Sequence, residues 1–259
     1  MCFIRNQNFN FCLALIVLLF CAGCKPTVQS NFCNTRDFNL DSISGKSFDE
    51  RSSIAFDEKL NPKQLQADFA IFRASLEDVN PNLYRYRSKA SMDSLFERQA
   101  CQLADSIGYL EFLRLIARSL NAMACGHSTW NHNPHFYDFR DSNMVFFPFK
   151  LKCLDDKLFI DQNWSLDRSV ASGTEVLSIN NQPSELLLKT LRAHMYKDGY
   201  SVPFAEDGIS TYFSNAYSNF VDNPQHVELA LKTETGKHKH RIIALKKTAI
   251  DSLNKLRYA

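Results

Sequence analysis

The 259-residue sequence predicts an α+β fold, a helical N-terminal region followed by a β-rich one. Two observations carry this. Between residues 61 and 124 apolar residues recur at steps of three and four, the period of an amphipathic helix. From Met144 the texture changes to short strand-like runs, MVFFPFKLK, KLFIDQN and TEVLSIN, and the chain closes on a hairpin pattern. Hydrophobic content of 45% and charged content of 22% are ordinary for a chain that buries a core.

Residues 1–23 stand apart from that fold. One basic residue, Arg5, precedes the ten-residue apolar run FCLALIVLLF, which is half the length of about 20 residues that a membrane-spanning helix needs. Small residues follow, the pattern of a secretory signal. The ending Ala22-Gly23-Cys24 resembles a bacterial lipobox, with Cys21 where leucine is usual. Cys24 is therefore the expected lipidation site and mature N-terminus, which places the protein in a bacterial cell envelope, on the periplasmic or outer face. Residues 24–60 are rich in Ser, Asn, Asp and Lys with scattered apolar residues, and read as a tether.

Loss of Arg5 with the signal leaves 29 Lys and Arg against 28 Asp and Glu. A near-neutral surface lacks the electrostatic footprint of a nucleic-acid binder. Cys33, Cys101, Cys125 and Cys153 have no regular spacing, compatible with one disulfide or with buried free thiols.

The helical region spans 61–140. Asn61 is a candidate N-cap with Pro62 in the first turn, and Leu65, Phe69, Phe72, Leu76 and Val79 form one stripe that Asn80-Pro81 ends. A second helix is expected at about 89–106 through Met92, Leu95, Phe96 and Leu103. A third, about 109–124, carries Leu113, Ile116, Leu120 and Met123, and Gly126 stands where a left-handed cap would fall. His127 then opens the loop. The β-rich region spans 141–247. It includes a helix at SELLLKTLRAH, another over 205–221, and a closing hairpin with Val227, Leu229 and Leu231 on one face and a turn at Thr235-Gly236. Residues 248–259 read as a C-terminal tail.

Five phrases together resemble the tail-specific, or C-terminal processing, serine peptidase family: DFAIFRASLEDVNPNLYRY, EFLRLIARSLNAMACGHS, FFPFKLK, SGTEVLSINNQP and KDGY. The resemblance covers 62 to about 245 and implies that the β-rich region is PDZ-like. It implies a polypeptide substrate or protein partner, membrane attachment through the N-terminal lipid, and no cofactor. In this family a serine activated by lysine, or by histidine in the tricorn-like branch, attacks the peptide carbonyl. His127 of Gly126-His127-Ser128 matches the motif that supplies the base in that branch. The nucleophile lies in a later α/β domain near a glycine-rich segment that holds the oxyanion. After Asn180 this sequence has only Gly199, Gly208 and Gly236, none in a run. The expectation is the N-terminal, substrate-engaging half of such a peptidase, inactive without the domain that carries the nucleophile. The alternative is a non-catalytic lipoprotein that binds peptides or a partner.

A PDZ-like groove takes a peptide by strand addition. Phe147 and Phe149 alternate near where it would start, as substrate-lining residues or as core. No Gly-Leu-Gly-Phe-type loop is present for a terminal carboxylate. His127, His132 and His135 raise a zinc reading, but they lie in a loop without the i, i+4 register or the acidic partner of the HExxH pattern, so no metal is expected. His238 and His240 read as exposed hairpin residues. Ser252-Leu253-Asn254-Lys255 has Ser-x-x-Lys spacing without its companion motifs and reads as chance.

Overall fold

Asn61 caps the first helix through its side chain, Oδ1 accepting the Lys63 N–H at 2.9 Å. The structure, a computed structural model, describes residues 56–258. The expected signal, Cys24, Cys33 and most of the tether lie outside the described residues. The helical region comprises α1 (Pro62–Val79), α2 (Lys89–Cys101), α3 (Tyr109–Met123) and α4 (Pro134–Asn143). The strands are β1 (Phe149–Leu154), β2 (Lys157–Asn163), β3 (Glu175–Ile179), β4 (Gln182–Pro183), β5 (His226–Thr233) and β6 (Gly236–Ile243). Helices α5 (Ser184–Arg192), α6 (Val202–Thr211) and α7 (Phe213–Phe220) lie between β4 and β5, and α8 (Lys247–Tyr258) follows β6.

Leu65 and Phe69 of α1, Met92 and Phe96 of α2 and Leu120 and Met123 of α3 meet in one buried cluster. Glu111 caps α3 from within, its carboxylate accepting the Gly108 N–H at 2.8 Å. The second helix stops at Cys101, and Gln102–Ala104 tightens into a 3₁₀ turn. That turn places Leu103 fully inside, while Gln66 Nε2 donates to its carbonyl at 2.9 Å. Arg73 enters this region 2% exposed. Its guanidinium meets Glu77 at 3.0 Å and Asp93 at 2.7 Å and lies 5.1 Å from the Phe96 ring.

The sheet is antiparallel, in the order β1-β2-β3-β5-β6 with β4 beside β3. Two of its hairpins close through two-residue turns, Asp155-Asp156 at φ 50° and 60° and Asn180-Asn181 at φ 49° and 61°. Left-handed pairs of this kind match the twist of the flanking strands, and Asp and Asn tolerate them. Alternation puts Phe149, Leu151, Leu158, Ile160, Val227, Leu229 and Leu231 on the inner face against α5, α6 and α7. The expected face of the last hairpin is thus the buried one.

Three elements differ from the sequence expectation. The helix expected over 205–221 is two, broken at Tyr212 (φ −119°, ψ 28°). The break turns Phe213 into the core, 5.2 Å from the Phe147 ring. Helix α4 was not anticipated, because PHFYDFRDSN carries no apolar stripe; Asn133 caps it and Phe136 anchors it at 1% exposure. Residues 248–259, expected as a tail, fall largely within α8. Its Ile250 is buried, Arg257 Nη1 donates to the Asn163 and Ser165 carbonyls at 2.7 and 2.9 Å, and Tyr258 Oη accepts the Asn163 N–H at 2.9 Å. One apolar anchor leaves little hydrophobic signal, and partners some 90 residues earlier supply the order. Ser252 on this helix returns its hydroxyl to the Thr248 carbonyl at 2.8 Å, an ordinary helical back-bond.

Candidate functional site

Helix α3 ends in a left-handed residue, and the residue is Ala124 (φ 53°, ψ 41°) rather than the expected Gly126. A non-glycine residue there costs about 1–2 kcal/mol, and tertiary contacts hold it. The Ala124 carbonyl accepts the Gly199 N–H at 2.8 Å, and Asn121 Nδ2 donates to the Arg192 and Met195 carbonyls at 2.8 and 2.5 Å. Gly126 is needed for space instead: a Cβ there would lie 3.1 Å from that of Asp198, whose carboxylate accepts the Gly126 N–H at 3.4 Å. Tyr86 meets Tyr200 edge-on at 5.5 Å. Three phrases separated in sequence, NLYRY, ACGHS and KDGY, therefore converge at one helix end.

His127 is exposed on this junction, and its imidazole makes no hydrogen bond or ion pair with another described residue. It borders a cavity of about 480 Å³ whose other walls include Phe72, Phe112, Ile116 and Trp130. The loop around it is held. Ser128 N–H donates to the Cys125 carbonyl at 3.0 Å, and Asn80 Nδ2 reaches Ser128 Oγ at 3.5 Å. Hydrogen bonding from Ser128 Oγ, and then from the His127 amide, draws the Cys125 thiol below its ordinary value. Cys125 and Cys153 are free thiols.

Behind His127 the loop crosses between the two buried clusters, and Trp130 packs against both. His132 lies deeper, 6% exposed, its ring 5.1 Å from Trp130 and 4.3 Å from Phe136. Its Nδ1 meets the Tyr109 hydroxyl at 3.2 Å. Burial, aided by the charge of Arg140, pulls this imidazole down to about 4. Trp130 Nε1 and His132 Nε2 are buried without hydrogen-bond partners. Both side chains border a second cavity, of about 440 Å³. Nothing in the sequence singled out Trp130 or His132 as a pair. The only signal was the density of aromatic and imidazole rings in WNHNPHFYDF, because the walls that enclose them come from α7.

The structure does not bring the three histidines together: His132 is buried while His127 and His135 are exposed. Among the described residues no group of three or more His, Cys, Asp or Glu is placed to hold a metal ion. Phe147 and Phe149, the expected groove residues, are 3% and 0% exposed and pack with Phe213 and Tyr217. Their side chains belong to the core beneath α7, Phe147 just before β1 and Phe149 at its first position. His238 is exposed, whereas His240 is half-buried, with Nδ1 3.2 Å from Asp167 Oδ2. Among the described residues no serine hydroxyl is hydrogen-bonded to a lysine or histidine side chain.

A helical layer followed by an antiparallel sheet defines an α+β chain. Two solved structures share that architecture. One is mature CPAF, a tail-specific-protease-like serine protease of Chlamydia, with a TM-score of 0.50 and 11% identity over 71% of this chain and 34% of that one. The other is mature CPAF complexed with lactacystin, again at 0.50 and 11%, over 71% of this chain and 35% of that one. The chain thus spans about a third of the length of these proteins. Neither a protein-family model nor a curated protein sequence matches it.

Proposed function

We propose that residues 61–247 are the substrate-engaging portion of a tail-specific serine peptidase lipoprotein, anchored through Cys24, in which His127 is the base that activates a serine carried by a further domain. One observation carries the reading. His127 is exposed, without hydrogen bonds to other described residues, on a loop pinned from three sides at the rim of an apolar cavity. A base must be accessible to a nucleophile and yet held in position, and a loop on a rigid helix end provides both. The cavity beside it offers a pocket for an apolar substrate side chain, and the sheet with its covering helices takes the place of the PDZ-like arm. In this reading the 259-residue chain alone cleaves nothing, since an activated serine needs a hydrogen-bonded base.

The test pairs two measurements of His127→Ala. In the 259-residue chain, denaturant unfolding should change by no more than about 0.5 kcal/mol, as for a surface residue. In a protein extended downstream through the nucleophile-bearing domain, turnover of an unstructured polypeptide should fall by at least roughly 100-fold. Unchanged turnover would reject the base assignment. An extended protein that binds peptides, cleaves none and resists serine-directed inhibitors would establish the non-catalytic alternative.

A further inference from the structure

The cavity between the 129–132 loop, α4 and α7 is faced by two buried ring nitrogens, Trp130 Nε1 and His132 Nε2, that close no hydrogen bond. The tautomer of His132 follows from its neighbours. Tyr109 Oη accepts the Asn133 N–H at 3.1 Å, so its own proton is directed to His132 Nδ1 at 3.2 Å. Burial raises the Tyr109 hydroxyl above its ordinary value, so that proton stays. With Nδ1 accepting, the neutral imidazole carries its hydrogen on Nε2. Nε2 lies near the Asn219 side chain, short of closing a hydrogen bond with it. Trp130 Nε1 is a donor only. A buried donor left unpaired is costly, and two that face one cavity leave room for a ligand's acceptor.

The charge of the site favours an anion. Arg140 borders the cavity and is the group whose charge, after burial, weighs most on His132. Its partner Asp141 meets it at 2.7 Å from a 43% exposed position and offsets it in part. Met195, Ala216 and Phe220 supply an apolar part of the wall, beside the amides of Asn131, Asn215 and Asn219. A volume of about 440 Å³ lies in the range of small-molecule sites, roughly 300–1,000 Å³. We propose that this cavity binds a small carboxylic acid with an apolar body, its carboxylate accepting hydrogen bonds from Trp130 Nε1–H and His132 Nε2–H. The site is separate from the exposed His127 imidazole and does not depend on the peptidase reading.

The chain contains two tryptophans, which makes the test internally controlled. Trp164 Nε1 already donates to Asn254 Oδ1 at 3.0 Å, whereas Trp130 Nε1 has no acceptor. In ¹⁵N-labelled protein titrated with 3-phenylpropionate, the Trp130 indole N–H resonance should move downfield and saturate while that of Trp164 stays in place. 3-Phenylpropanamide should bind roughly tenfold more weakly, since a charge-assisted bond becomes a neutral one. Trp130→Phe keeps a ring in the packing and removes the donor, so calorimetry on that variant should show roughly fivefold weaker binding of the acid, the loss of about one hydrogen bond. Absence of a saturable shift, or equal shifts at both tryptophans, would overturn the site. Equal affinity for acid and amide would overturn the carboxylate assignment, and unchanged affinity in Trp130→Phe would remove that residue from it.

Discussion

Acidification should destabilise this protein well before its carboxylates titrate, because two histidines are buried neutral. His132 and His194 are 6% and 4% exposed, and burial pulls each imidazole down to about 4, with Arg140 adding to the effect at His132 and Arg118 and Arg114 at His194. His194 is held by its Nδ1 at 2.8 Å from the Thr190 carbonyl and stacks on Phe220 at 5.0 Å. In the unfolded chain both titrate near 6.5. Between pH 6.5 and 4 the unfolded state therefore binds more protons, so stability is full above 6.5 and falls as pH drops to about 4. Each histidine contributes a loss of about 2 kcal/mol between pH 7 and 5, hence about 4 kcal/mol together, a large share of a typical 5–15 kcal/mol. Urea unfolding followed by circular dichroism at half-unit steps measures this directly. His194→Phe, which preserves the stack, should halve the slope between pH 6.5 and 4. A midpoint flat from pH 7 to 5, or an unchanged slope in the variant, would refute the assignment of these imidazoles as buried and neutral.

Three further outcomes are expected. Arg73→Ala should cost about 1–3 kcal/mol in urea unfolding, since it removes a buried side chain packed on Phe96 while Asp93 keeps Lys89 and Glu77 stays partly exposed. Ala124→Gly should raise stability by up to about 1 kcal/mol, measured as a higher midpoint, because glycine relieves the left-handed strain at the end of α3. Cys24→Ala should abolish incorporation of radiolabelled palmitate in cells; equal labelling of variant and wild type would remove the lipid anchor from the proposal.

Where an element announces itself within its own length, the sequence sufficed. Leu65 and Phe69, or Leu113 and Leu120, repeat at the helical period, and any packing partner would bury that same stripe. Val227, Leu229 and Leu231 similarly declare one face of a hairpin with a period of two. The α+β class and the exposed position of His127 just beyond a helix end were legible in this way. What depended on distant residues was not. Helix α8 is ordered by Asn163 and Ser165, and α4 by a single phenylalanine and a cap. The left-handed turn sits at Ala124 because Gly199, some 75 residues later, takes its carbonyl. Phe147 and Phe149 alternate as groove and core residues alike would; only the arrival of α7 over them decides for the core. The paired donors of Trp130 and His132 exist as a site only because α7 closes over them, and their hydrogen positions are set by Tyr109 and Asn133. Periodicity records which side of an element avoids water, whereas the identity of what covers that side is a property of the assembled chain.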